Sequence, residues 1–131
     1  MNYFGEERAN RVILTREWLD AGIPVIISSD APAMPQYTPQ VAIAGAISRM
    51  KSERKVNLPD QVMTPMEVLR AHTLTAAYIG HEEAIKGSLE PGKLADAVVW
   101  AQDPTSLSFQ QMVNATIDLT MVDGQTIYER V

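Results

Sequence analysis

The chain has 131 residues, 46% of them hydrophobic and 21% charged, with a formal net charge of −5 and no cysteine. That length admits one ordinary domain with a real core and is too short for a complete α/β barrel. The charge balance argues against a nucleic-acid partner, the lack of cysteine removes disulfides, thiolate zinc sites and cysteine nucleophiles, and no apolar run reaches membrane-spanning length.

The first residues, Met1-Asn2-Tyr3-Phe4-Gly5-Glu6-Glu7-Arg8, are acidic where a signal peptide needs a basic end and an apolar run. The expectation is a soluble, cytoplasmic protein. Residues 6–21 have a helical pattern, with Val12, Ile13, Trp18 and Leu19 able to share one side, and Gly22 stops the helix as its C-terminal cap. Ile23-Pro24 then leads into Val25-Ile26-Ile27-Ser28-Ser29-Asp30-Ala31-Pro32. The β-branched run without polar alternation predicts a strand buried on both faces, as in a parallel sheet wrapped by helices. Asp30 would stand at the carboxyl end of that strand, the edge where α/β folds collect their chemistry. A turn or helix-capping aspartate is the competing account of the same residue.

Residues 31–38, with Pro32 and Pro35 and no periodicity, form a loop suited to the lip of a pocket. Thr38-Pro39 starts a helix to about Met50, whose Ala42, Ala44, Gly45 and Ala46 allow close packing. Residues 51–63 are polar. They hold the one basic cluster, Lys51-Ser52-Glu53-Arg54-Lys55, which suits a solvated loop. Thr64-Pro65-Met66-Glu67 has the form of a capping box, and the helix it opens is predicted to run to Ile79 and close at Gly80. From Gly87 the character changes to a turn-rich passage. A strand over 97–100, a short helix within 106–113, a strand over 115–122, a tight turn at Asp123-Gly124 and a returning strand over 125–128 follow.

Few ionisable residues are placed for chemistry. His72 and His81 are nine apart, not the i, i+4 spacing that puts two metal ligands on one helical face. His72 reads as a hydrogen-bonding helix residue and His81 as a cation at a helix end, with Glu82 and Glu83 as solvated surface. Arg49 reads as a surface or pairing cation. No Gly-x-Ser-x-Gly elbow surrounds Ser28 and Ser29, and Gly87 to Gly92 lacks the Gly-Lys-Ser/Thr of a phosphate loop.

Three segments together resemble one family. Ala21-Gly22-Ile23-Pro24-Val25 through Ser29-Asp30-Ala31-Pro32 is similar to the final barrel strand of the amidohydrolase superfamily. Thr64-Pro65-Met66-Glu67-Val68-Leu69-Arg70-Ala71-His72-Thr73 is similar to the helix that follows it. Gly87-Ser88-Leu89-Glu90-Pro91-Gly92-Lys93-Leu94-Ala95-Asp96 resembles the return into the small β-sandwich, and Val122-Asp123-Gly124 its terminal hairpin. The Ser-Asp-Ala-Pro form is most like the third amidohydrolase family, which contains N-substituted formamide deformylases.

The resemblance implies an α/β fold: residues 1–86 as the C-terminal portion of a metal-dependent hydrolase (β/α)8 barrel, with its last strand and flanking helices, and residues 87–131 as part of a composite β-sandwich. It implies hydrolysis of a non-peptide C–N bond in a small amide- or formamide-type substrate. Asp30 matches the last-strand aspartate, beside a divalent metal (zinc is the expectation), where it exchanges protons with the attacking water. The family's His-x-His pair and later histidine ligands have no counterpart, so the chain is expected to be inactive by itself. Its lone barrel strand is expected to self-associate or to pair with the missing N-terminal barrel portion. The alternative, of another class, is a non-catalytic α+β interaction or assembly domain built on the same scaffold.

Overall fold

The computed structural model describes residues 5–9, 11–33, 37–49 and 58–131. The basic cluster at Lys51–Lys55 lies outside them. In chain order the elements are α1 (Gly5–Ala9), α2 (Thr15–Asp20), α3 (Pro39–Ser48), a 3₁₀ turn (Pro59–Gln61), α4 (Pro65–His72), α5 (Leu74–Ile79), β1 (Ala97–Trp100), α6 (Phe109–Val113), β2 (Ile117–Val122) and β3 (Gln125–Glu129).

The predicted first helix is in fact two. Ile13 sits in the left-handed region at φ 57°, which no α-helix continues through. The restart at α2 is held from outside: the buried Thr15 hydroxyl donates to the Gln61 carbonyl, and the Gln61 side-chain oxygen accepts the Arg16 N–H at 3.0 Å. Gly22 ends α2 as expected. At φ 74° it lets its own N–H reach Leu19 and that of Ile23 reach Trp18, both at 2.9 Å, a Schellman closure.

The helix after Thr64 also breaks. Thr73 (φ −122°, ψ −90°) separates α4 from α5. Its hydroxyl donates to the Leu69 carbonyl at 2.8 Å, the back-bonding that bends helices. Gly80 follows the last helical residue, but the left-handed closing residue is His81 at φ 58°; its N–H reaches Tyr78 while that of Glu82 reaches Ala77. The capping box at Thr64 forms in full, with Glu67 returning to the Thr64 N–H. A second box, Ser108 with Gln111, opens α6.

The three strands form one antiparallel sheet in the order β1-β2-β3. Asp123 and Gly124, at φ 49° and 74°, make the two-residue turn between β2 and β3. Both residues at positive φ fit a type I′ hairpin, as the Asp-Gly pair predicted. The Asp96 carboxylate accepts the Asp123 N–H at 2.9 Å, so the passage after Gly87 also braces the hairpin.

The core is drawn from both sides of residue 86. Ile43 and Ala44 of α3, Met63, Val68 and Ala71 of α4, Leu107, and Met112 of α6 are its buried members. Gly87 welds the turn-rich passage to α5: a Cβ there would lie 2.6 Å from the Ala77 Cβ and 3.2 Å from the Thr73 carbonyl, at a φ of +95°. Glycine alone satisfies both conditions.

One cluster of polar groups binds α2 to α4. The Arg16 guanidinium grips Glu67 through two parallel hydrogen bonds of 3.0 and 2.7 Å while its Nε reaches Asp20 at 3.0 Å. Arg16 chiefly, then the Thr64 N–H and hydroxyl, hold the Glu67 carboxyl down at about 2 against the opposing effect of burial.

Two predictions follow from these contacts. Gly87→Ala forces either the backbone or Ala77 to move and should destabilise by about 3 kcal/mol, read as a fall in melting temperature of about 10 °C. Because the Glu67 acid is depressed in the folded state, its contribution is full above the ordinary carboxylate range and is lost as pH falls from about 4.5 toward 2. At roughly 30% exposure solvent screens the pair, so the contribution is about 1–2 kcal/mol. Melting curves of Glu67→Gln should therefore show a shallower decline than the parent across that window; parallel declines would refute the assignment.

Candidate functional site

Residues 25–29 are extended, but they form no ladder with any described strand. The expectation of a strand buried on both faces is corrected accordingly. Val25 is buried and Ile27 packs against the core, while Ile26, at 44% exposure, and Ser28 face outward. The alternation is that of a strand with one dry face. The expected neighbours on either side are not among the described strands, all of which are antiparallel and lie after residue 96.

Asp30 directly follows this segment and is exposed. Its backbone is left-handed, φ 54°, a region that aspartate visits at some cost. Two hydrogen bonds hold it there. The Asp30 N–H donates to the Ser28 hydroxyl at 3.1 Å, and the Asp30 carbonyl accepts the Ala33 N–H at 2.8 Å. A non-glycine residue fixed in a sparsely populated conformation, with its carboxylate in none of the ion pairs among the described residues, is the kind of outlier found at functional sites.

A divalent metal requires about three protein ligands. Among the described residues no group of three His, Cys, Asp or Glu side chains converges, so these residues supply no complete metal centre. The histidines are elsewhere. His72 is half-buried, with Nδ1 2.9 Å from the Val68 carbonyl one turn back, the hydrogen-bonding role read from the sequence. His81 is the exposed residue that closes α5.

A concavity that sequence reading missed lies elsewhere. A cleft of about 750 Å³ opens between the α4–α5 break and the sheet, lined by His72, Ala76, Lys86, Val98, Trp100 and Val122 among others. It requires the bend at Thr73 and the close approach at Gly87, which only the folded chain brings together. Its charged rim is already committed: Lys86 pairs with Glu82 at 2.6 Å, and Asp96 with the hairpin turn. Lys93, only 15% exposed, is bound to Ser88 at 2.7 Å and Glu90 at 3.2 Å and shapes the loop beside it.

The helices and the small antiparallel sheet make this an α/β protein. The match extends well beyond one motif: residues 1–128 fit the model of the amidohydrolase family, and the chain belongs to that family. It is 32% identical over 115 residues to N-substituted formamide deformylase of Arthrobacter pascens, covering 88% of this chain and 21% of that protein. To an imidazolonepropionase of Shouchella clausii it is 34% identical over 116 residues, covering 87% of this chain and 24% of the other. An amidohydrolase of Thermotoga maritima shares the fold over 88% of this chain and 26% of its own, with TM-score 0.66 and 23% identity. The chain thus spans about a fifth to a quarter of the relatives it matches.

Asp30 is exposed and makes no side-chain contact that the fold depends on. Asp30→Asn should shift the melting temperature by less than about 2 °C, by differential scanning calorimetry. A larger loss would make Asp30 a structural residue first.

Proposed function

We propose that this chain is the C-terminal portion of a metal-dependent amidohydrolase that hydrolyses a non-peptide C–N bond in a small amide- or formamide-type substrate. The observation that carries the reading is Asp30: a carboxylate at the end of an extended segment, held in a strained backbone conformation, in a chain of amidohydrolase sequence. The named activities of the relatives, deformylation of formamides and the imidazolonepropionase reaction, favour a C–N bond in a small molecule.

In this reading residues 1–86 contribute the last strand and flanking helices of a (β/α)8 barrel, and residues 87–131 one part of a composite β-sandwich. A divalent metal, zinc by preference, supplies an acidified water when bound. Asp30 takes the proton of that water on a carboxylate oxygen and returns it to the departing amine. Its exposed position suits both transfers, and Ser28 fixes the backbone from which it reaches. Among the described residues no group of three His, Cys, Asp or Glu side chains converges, so the reading assigns the activity to a larger assembly and none to these residues alone. A cytoplasmic location belongs to the same reading.

Metal analysis and mutation test it. The purified chain should retain far less than one zinc per molecule. In a polypeptide that also carries the remaining ligands, Asp30→Asn should lower kcat by about 10²–10⁴-fold. Stoichiometric zinc that survives Asp30→Ala in the chain alone, or full activity of the Asp30→Asn polypeptide, would overturn the assignment.

A further inference from the structure

Asp123-Gly124 is the one Asp-Gly pair in the sequence, and there is no Asn-Gly pair. In such a pair the glycine nitrogen can attack the preceding side chain, because no Cβ stands in its path. The Gly124 nitrogen bonds to the Asp123 carboxyl carbon, and its proton leaves with the carboxyl hydroxyl as water. A second water then opens the five-membered imide. Attack at the main-chain carbonyl yields isoaspartate, with an added methylene in the backbone, whereas attack at the other carbonyl restores aspartate. Water is the only co-reactant.

The fold opposes the first step. A two-residue hairpin turn leaves the N–H groups of both central residues outside the ladder. Here two consecutive residues of the preceding passage take them. The Asp96 carboxylate accepts the Asp123 N–H at 2.9 Å, and the Ala95 carbonyl accepts the Gly124 N–H at 3.1 Å. A peptide nitrogen attacks perpendicular to its plane, so the Asp123–Gly124 plane must first rotate and break the bond to Ala95. Residues 95 and 96 are themselves anchored. The Leu94 N–H donates to the Ile85 carbonyl at 2.8 Å, and Gly87 lies against α5. All four residues of the contact are exposed, so hydrogen bonds rather than burial keep the turn shut.

We infer that Asp123-Gly124 is a site of isoaspartate formation, and that Asp96 and Ala95 form the lock that sets its rate. The reaction proceeds from the locally open turn, so its rate follows the fraction of molecules in which both bonds are broken. A carboxylate acceptor makes the stronger bond, which gives Asp96 the larger share. The product acts on the sheet. β3 pairs with β2 alone, in a register that starts from Val122 and Gln125 across this turn, and a lengthened turn disturbs it. The inference depends on no role of Asp30.

Peptide mass spectrometry with electron-transfer fragmentation locates isoaspartate after the purified chain has stood for weeks at physiological temperature and neutral pH. The folded parent should form it at position 123 at least about 10-fold more slowly than the same chain in concentrated guanidinium chloride. Asp96→Ala should raise the folded rate by about 10-fold, and Asp96→Asn, which keeps a neutral acceptor, by less. Asp123→Glu, whose longer side chain cannot close the five-membered ring, should abolish the signal. Hydrogen exchange on the parent reads the lock without any variant: the Asp123 and Gly124 N–H groups should both exchange more slowly than in the denatured chain. Equal rates in the folded and denatured parent overturn the inference, as do turn amides that exchange at the denatured rate. So does a folded Asp96→Ala variant, by circular dichroism, that ages no faster than the parent, or a denatured chain in which position 123 stays unmodified.

Discussion

The grip of Arg16 on Glu67 is the contact from which the remaining geometry takes its direction. Glu67 is already engaged in closing the first turn of α4 through Thr64, and the same carboxylate receives both arms of the guanidinium. A bidentate pair fixes an angle as well as a distance. With Gln61 holding the start of α2 from the other side, the axis of α2 is set relative to the core. The Schellman turn at Gly22 then has one direction in which to send the chain. Residues 23–30 follow that direction, with Val25 and Ile27 facing the core. The place of Asp30 is thus inherited from a polar cluster that ties Thr15 and Arg16 to Gln61 and Glu67.

What Asp30 can do there depends on what it lacks. A buried or paired carboxylate would be spent on structure; this one is exposed, and its bonds are backbone ones made through Ser28 and Ala33. Left-handed aspartate is tolerated because its short polar side chain suits such turns, so the strain is modest and the local hydrogen bonds offset it. The arrangement presents an acid without consuming it. Metal chemistry needs converging donors, and the described residues hold no group of three such side chains.

Much of this was legible in the residues because the signals were local. The capping box at Thr64, the glycine closure at Gly22, the Asp-Gly hairpin and the strand at 97–100 each depend on a few neighbouring side chains, and each formed. The capping box of α6 was legible too, since Ser108 and Gln111 have the required spacing, but the surrounding apolar pattern was too short to draw attention to it. What failed to show was whatever depends on distant partners. Apolar periodicity ran unbroken through Ile13 and through Thr73, because periodicity records which side of a helix is apolar and says nothing about a backbone pulled out of line by Gln61 or bent by a back-bonded hydroxyl. The cleft beside His72 arises only once Gly87 has been drawn against α5. The run at 25–29 was read as doubly buried because its composition is that of a parallel strand, and composition does not disclose whether the neighbouring strands share the chain.

That last mismatch has a physical meaning beyond the error itself. A core that includes Met112 and Leu107 with Ile43 and Val68 lets residues from both sides of position 86 bury one another, and this satisfies most of the apolar side chains in α3, α4 and α6. The extended segment receives one dry face from that core and no ladder partner among the described residues. Its sequence carries β-branched residues at Ile26 as well as at Val25 and Ile27, although only the latter two have a core to face. The exposed Ile26 is thus the one aliphatic side chain of the run that its alternation turns away from the dry face.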